Sequence, residues 1–306
     1  MILVAGGTGR LGRIVVERLL SAGEHVRVLS RAPANSGKGN TASGGSLERV
    51  AGDVRDPRAV ARAVAGARVV ISAVSAFGMK GVTPRAVDLD GNVNLISAAE
   101  TAGVSRFVLV SVRGAAAGHP MELARMKHGA EQRLTRSSSL VWAILRPSTF
   151  TETFQQILCA PLLSRGRTVV FGTASNPVNF VSAEDVARFV ELAALTDQLQ
   201  GAVTDLGGPQ NLSLVQFVET FAATLGVGCS IRHVPRAMVR LLSRVAHPFN
   251  RTFARMARAG VLMDTTDMAF DATELARRYP HIHLTTASEA ALRDYGRLVP
   301  GKGMTP

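Results

Sequence analysis

The chain has 306 residues, 46% of them hydrophobic, which suffices for one large α/β domain, alone or with a small companion, and excludes wholesale disorder. It carries 35 basic and 23 acidic side chains, a net charge of +12, so anionic ligands are expected, although nothing in that balance requires nucleic acid. No apolar run is long enough to cross a bilayer, residues 1–5 read as a strand and not as a signal peptide, and the two cysteines, Cys159 and Cys229, read as buried free thiols, so the expected address is cytoplasmic.

Residues 1–5 form the first expected strand. Residues 10–22 follow as a helix, with Leu11, Ile14, Val15, Leu19 and Leu20 at helical spacing. A second strand covers 25–29, and 33–46, rich in Gly, Ser and Asn, reads as a loop. Val50 and Val54 frame a short third strand ending at Gly52-Asp53, and a helix over 57–65 opens after Asp56. The apolar run 69–74 has the character of a buried parallel strand. A helix over 88–102 leads to a strand at 107–112, and Glu122–Thr135 is a helix leading to a strand at 141–145 that ends at Arg146-Pro147.

Beyond Pro147 the regularity loosens. Ser182 reads as the N-cap of a helix that runs to 194, Val203–Leu206 as a strand, and Leu214–Leu225 as a helix closed by Gly226. Residues 235–262 read as one or two arginine-rich helices and 287–298 as the last. Short β-branched runs alternating with amphipathic segments indicate an α/β fold with a doubly wound parallel sheet and a small mixed carboxy-terminal region. The division is set at residues 1–150 and a smaller part, 151–306, that completes the main core in places and closes over the carboxyl ends of the sheet.

Between the first strand and helix runs Val4-Ala5-Gly6-Gly7-Thr8-Gly9-Arg10-Leu11-Gly12. Gly6 permits a tight turn, Gly9 lets the backbone approach a phosphate, and Gly12 lets the helix lie close on the strand. The amides and dipole of the helix start suit a pyrophosphate, which makes this a Rossmann dinucleotide-binding loop with Thr8, Arg10 and Leu11 inside it. At the end of the second strand an NAD-preferring site places a carboxylate against the ribose 2′-hydroxyl. This chain has Leu29-Ser30-Arg31 there and no acid until Glu48. A hydroxyl and a guanidinium suit a 2′-phosphate, so NADP(H) is expected over NAD(H). Asp53, beside Val54, is expected to meet the adenine. Ala73-Val74-Ser75 is expected as a backbone wall along the cofactor, and Pro147-Ser148-Thr149-Phe150 beside the nicotinamide, with Phe150 as a stacking ring or a core side chain.

These residues, with Asp53, Asn92, Lys127 and Leu145-Arg146-Pro147-Ser148-Thr149-Phe150, resemble the NmrA-like group of atypical short-chain dehydrogenase/reductases, over most of the chain and most clearly over 1–150. The resemblance implies a Rossmann core with a small substrate region. It also implies kinship with NADPH-dependent reductases of quinones, dyes and plant phenolic ethers, and with cofactor-sensing regulators that have no turnover. The wider superfamily uses a tyrosine four residues before a lysine, and a serine after the fifth strand. Here Lys127 is preceded at that spacing by Leu123, and the only tyrosines, Tyr279 and Tyr295, have no such lysine. Ser111-Val112-Arg113 follows the fifth strand, so arginine stands where that serine is expected, while Ser111 is counted with the cofactor site.

The candidate catalytic residue is therefore Lys127, read as an ammonium that hydrogen-bonds the nicotinamide ribose, with proton donation as a second role; His119 and His128, nearby in sequence, read as surface histidines first and as alternative acids second. The expected activity is NADPH-dependent hydride transfer to a small conjugated or aromatic acceptor such as a quinone, without the Ser-Tyr-Lys set, because solvent can protonate such a product. The alternative is a non-catalytic NADP(H)-sensing regulator. Arg232, Arg236, Arg240, Arg244, Arg251, Arg255 and Arg258 occur in a stretch without acids and suit an anionic substrate, acidic lipid headgroups, a nucleic-acid backbone or a solvated helix face. No nucleic-acid-binding motif accompanies them, and His247, His281 and His283 lack the partners a metal needs.

Overall fold

The computed structural model describes residues 1–31, 38–40, 44–79, 81–246 and 251–298. They divide into two compact units, one of Met1–Pro147 with Val186–Leu206, the other of Ser148–Asp185 with Gly207–Pro306.

The first unit alternates strands and helices: β1 (Ile2–Ala5), α1 (Arg10–Ser21), β2 (His25–Ser30), β3 (Lys38–Asn40), β4 (Ser46–Ala51), α2 (Pro57–Val64), β5 (Val69–Ser72), α3 (Asn92–Thr101), β6 (Arg106–Val110), α4 (Glu122–Thr135) and β7 (Val141–Pro147). The strand Val203–Leu206 completes a sheet ordered Val203–Leu206, β7, β6, β5, β1, β2, β4, β3. Seven of its strands are parallel, as the apolar runs require, and β3 alone is antiparallel. β1 lies centrally and is wholly buried, its Val4 and Leu3 enclosed by apolar neighbours. Below the sheet, Val60, Ala63 and Val64 of α2, Leu95 and Ile96 of α3 and Leu134 of α4 share one apolar core with Leu3, Val70, Phe107 and Ile144.

The second unit is a mixed assembly of short elements, as expected from its looser pattern. A three-stranded sheet places Val178–Val181 between Asn211–Leu212, antiparallel, and Thr149–Phe150, parallel. A second, two-stranded sheet pairs Thr168–Phe171 with Ile231–Val234. Its core gathers Leu158, Phe180, Phe217, Phe221 and Ala291, with Phe180 stacked on Phe217 at 4.3 Å between ring centroids. Ser182 caps the helix Ala183–Leu195 as expected, its hydroxyl accepting the Glu184 amide at 3.2 Å. The arginine-rich stretch forms two helices, Arg236–Ala246 and Arg251–Met263.

Several expectations need correction. The third strand begins at Ser46, earlier than its valines suggested, because all six of its residues pair with His25–Ser30. Lys38–Asn40, expected as loop, pairs with β4, whose outer edge would otherwise have no backbone partner; residues 32–37 and 41–43 lie outside the described residues. The helix expected from 88 begins as a wide π turn over Arg85–Gly91 and becomes regular only at Asn92. Cys159 is buried, its thiol pushed up to about 12 by burial first and by Cys229 second, but Cys229 is exposed. His247 lies outside the described residues, among which no group of histidine, cysteine or carboxylate side chains could hold a metal.

Candidate functional site

Strand register sets the site. Ala5 pairs with Leu29 on one side and Ser72 on the other, Ser72 pairs with Leu109, and Val110 with Leu145. Gly6, Ser30, Ala73 and Ser111 thus emerge together at the carboxyl edge of the sheet, where parallel α/β sheets hold their ligands.

At Gly6 the chain turns with φ +86°, a left-handed conformation that glycine adopts at little cost. A Cβ there would sit 2.6 Å from the Ala73 carbonyl oxygen, so the loop touches the end of β5. The Gly6 carbonyl accepts the Gly9 amide at 3.0 Å and closes the turn. At Gly12 a Cβ would lie 2.1 Å from the Gly6 oxygen, so α1 can start only with glycine at this point. Gly9 is the N-cap, without a side-chain cap, and the first turn of α1 has no acid. The positive end of the helix is therefore offered to an anion with no carboxylate of its own in competition. Thr8, Gly9 and Arg10 are exposed and Leu11 half-buried.

Ser30, at the end of β2, is buried, and its hydroxyl has no hydrogen-bond partner. Arg31 follows, exposed, and its charge reaches Asp53. Asp53 itself is taken up by Arg55, which donates Nε to one carboxylate oxygen at 2.9 Å and Nη2 to the other at 2.6 Å. These hydrogen bonds from Arg55 hold the Asp53 carboxyl below its ordinary range. Val54 is buried, and its carbonyl accepts Asn94 Nδ2 at 2.9 Å. Ser111, at the end of β6, is a second buried hydroxyl without a partner; its amide donates to the Leu145 carbonyl at 2.7 Å. Two unpartnered hydroxyls on one sheet edge, beside a glycine cradle and a bare helix start, fit a dinucleotide with its ribose hydroxyls and phosphates.

Behind the wall at Ala73–Ala76 lies a buried polar network. Lys127 is 3% exposed, and its ammonium donates to the Val74 carbonyl at 2.8 Å and the Val110 carbonyl at 2.9 Å. It lies 3.4 Å from Asp88 Oδ1, whose other oxygen accepts the Ala76 amide at 3.0 Å. Asn92 Nδ2 donates to the Asp88 carbonyl at 2.8 Å, and the Ser72 hydroxyl donates to Asn92 Oδ1 at 2.6 Å. Burial pushes the Asp88 carboxyl upward and the Lys127 ammonium downward, and each charge opposes the shift of the other. Lys127 thus ties the ends of β5 and β6 together, its ammonium enclosed by two backbone carbonyls and Asp88. Ser75, exposed, accepts the Phe77 amide at 3.1 Å.

The remaining expected residues separate. The Pro147 carbonyl ends β7 and accepts the Arg113 amide at 2.9 Å, whereas Thr149 and Phe150 belong to the second unit, opposite Phe180 and Val181. Tyr279 and Tyr295 are in the second unit as well. Asp88 was missed as a site residue, and Asn92 entered only through the resemblance. Asp90 and Asn94 stand beside them in the sequence, so nothing local sets Asp88 and Asn92 apart from these neighbours.

Residues 6–198 match the model of a family described as NAD(P)H-binding. Over 97% of this chain and 91% of its own length, Photosystem II assembly factor Ycf39 of Synechocystis sp. is 27% identical. The NAD(P)H azoreductase of Xenophilus azovorans is 27% identical over 74% of each chain. Among solved structures, the NADPH-dependent quinone oxidoreductase QOR2 of Escherichia coli, complexed with NADPH, superposes with a TM-score of 0.76 at 22% identity, covering 96% of this chain and 99% of its own.

Proposed function

We propose that this chain, which belongs to the NAD(P)H-binding family, is an NADPH-dependent reductase of a small conjugated or aromatic acceptor such as a quinone. The observation that carries the reading is the cradle itself: Gly6 and Gly12 closed on each other and on Ala73, under a helix start free of acids. The azoreductase relative, a reductase by name, supports the class of reaction. Arg31 and the unpartnered Ser30 hydroxyl support NADP(H) over NAD(H), since they stand where an NAD site would place a carboxylate.

When bound, NADPH supplies the hydride. The chain's own part is to bind and to orient. The amides at the head of α1 take the pyrophosphate, with Thr8, Arg10 and Leu11 around it, while Ser30 and Arg31 take the 2′-phosphate and Asp53-Val54 borders the adenine. Val74, fixed by Lys127, walls the far side, and the Ser111 hydroxyl supplies a further hydrogen bond. In this reading Lys127 is a positioning residue, because its donors are already engaged by Val74, Val110 and Asp88. The acceptor's proton comes from solvent, which suits a product anion delocalised over a conjugated system.

A second reading is a non-catalytic NADP(H) sensor. The enclosed Lys127 and the assembly-factor relative favour it. Fluorescence titration with NADPH and NADH, on the native protein and Arg31→Ala, followed by quinone and enone acceptors, separates the cases. Preferential NADPH binding that Arg31→Ala abolishes, with acceptor turnover, is the expected result. Binding without turnover would give the sensor, and no binding of either cofactor would remove both readings.

A further inference from the structure

Two stretches of the second unit contain no acidic residue, 153–183 and 220–263. The fold sets them side by side: Thr168–Phe171 from the first pairs in parallel with Ile231–Val234 from the second, Val169 opposite Arg232. Arg165, Arg167, Val169, Arg232 and His233 are all exposed. Ile231–Val234 then leads through Pro235 into the helix Arg236–Ala246, which buries Val239 and exposes Met238, Arg240 and Leu241. Arg236 is neutralised by Asp264, the first acid after the stretch.

Leu241 is 61% exposed and Met238 52%, the two most exposed large apolar side chains among the described residues, and Val169 is 45% exposed. Met238, Arg240 and Leu241 are exposed on one helix, and Val169 and Arg232 on the strand pair that leads into it. A nucleic-acid backbone would use the arginines and leave the leucine and methionine idle. A second copy meeting the same face would set like charges against each other. An anionic bilayer uses both sets: apolar side chains enter the boundary between headgroups and acyl chains, and arginines pair with lipid phosphates. We propose that the face formed by Arg165–Val169, Arg232 and the helix Arg236–Ala246 docks on anionic membrane surfaces.

The test is sedimentation of the full-length protein with phosphatidylcholine vesicles and with vesicles that also contain phosphatidylglycerol. Binding only to the second, weakened by salt, is expected. Met238→Ser with Leu241→Ser keeps every charge and should abolish most of it, while Arg232→Gln with Arg240→Gln keeps the apolar contacts and should weaken it by roughly fivefold per arginine. A far-ultraviolet circular dichroism spectrum and thermal melt matching those of the parent show that the variants are folded. Absence of binding to anionic vesicles overturns the proposal. So does full binding by the Met238/Leu241 variant, since charge alone then explains it, and so does loss of a dimer in that variant, which makes the face a contact between copies. The lipid and salt dependence of the unaltered protein decides the matter even if a variant fails to fold.

Discussion

Lys127 and Asp88 show what a buried charge pair commits a residue to. Neither side chain has water to fall back on, so removing one leaves the other charged and unpaired. Lys127→Met should therefore destabilise the protein by about 3–5 kcal/mol in chemical denaturation, and adding Asp88→Leu should recover much of that loss. If the double variant were no more stable than the single, the ammonium would matter for the Val74 and Val110 carbonyls and not for Asp88. The unpartnered hydroxyls make the opposite case. Ser30→Ala and Ser111→Ala each remove a buried polar atom that bonds nothing in the protein, so the cofactor-free variants should be as stable as the parent or slightly more so. NADPH binding should nevertheless weaken by roughly threefold to tenfold at each, the worth of a lost hydrogen bond. A variant that is destabilised with unchanged NADPH affinity would make that serine structural.

At the scale of elements, the loop after Thr168–Phe171 depends on one distant carboxylate. Gly172 and Ala174 both have positive φ, +69° and +52°, and the second is a strained choice for a residue with a side chain. Asp264 holds them there, accepting the Ala174 amide at 2.6 Å and the Thr173 hydroxyl at 3.1 Å while Arg236 closes on it. Burial raises the Asp264 carboxyl, but Arg236, Ala174 and Thr173 lower it by more, to below the ordinary aspartate range. A depressed carboxyl contributes stability that is complete above its unfolded pKa and is lost as pH falls through the folded one. Asp264→Asn should therefore cost about 2 kcal/mol at neutral pH, a gap that narrows below roughly pH 4 in urea melts followed across pH. The same loop shows why the second unit was poorly legible in the sequence. Thr168–Phe171 finds its partner in Ile231–Val234, far along the chain, and a parallel pair has no hairpin turn to announce it. The elements around β1 and α1 were legible because periodicity and glycine spacing act within a few residues. For the same reason the glycine loop could be read directly, whereas Asp88 became visible only when folding set it beside Lys127.

The whole molecule consists of two units with separate apolar cores, and only the first carries the glycine loop. A ligand that binds the folded first unit must stabilise it by mass action, about 2.7 kcal/mol when the free ligand stands at 100 times its Kd. For a unit of this size that corresponds to a rise of roughly 5–10 °C in its melting temperature. The chain has one tryptophan, and Trp142 is packed against the core of the first unit, so its fluorescence reports that unit's unfolding specifically. Melting followed by Trp142 should therefore move up by this amount with NADPH and by much less with the same concentration of NADH. Arg31→Ala should bring the two cofactors level by lowering the NADPH shift, because it removes the guanidinium proposed to face the 2′-phosphate and leaves the glycine cradle intact. Equal shifts in the native protein would instead mean that the exposed Arg31 is an ordinary surface charge, and that the end of β2 does not choose between the cofactors.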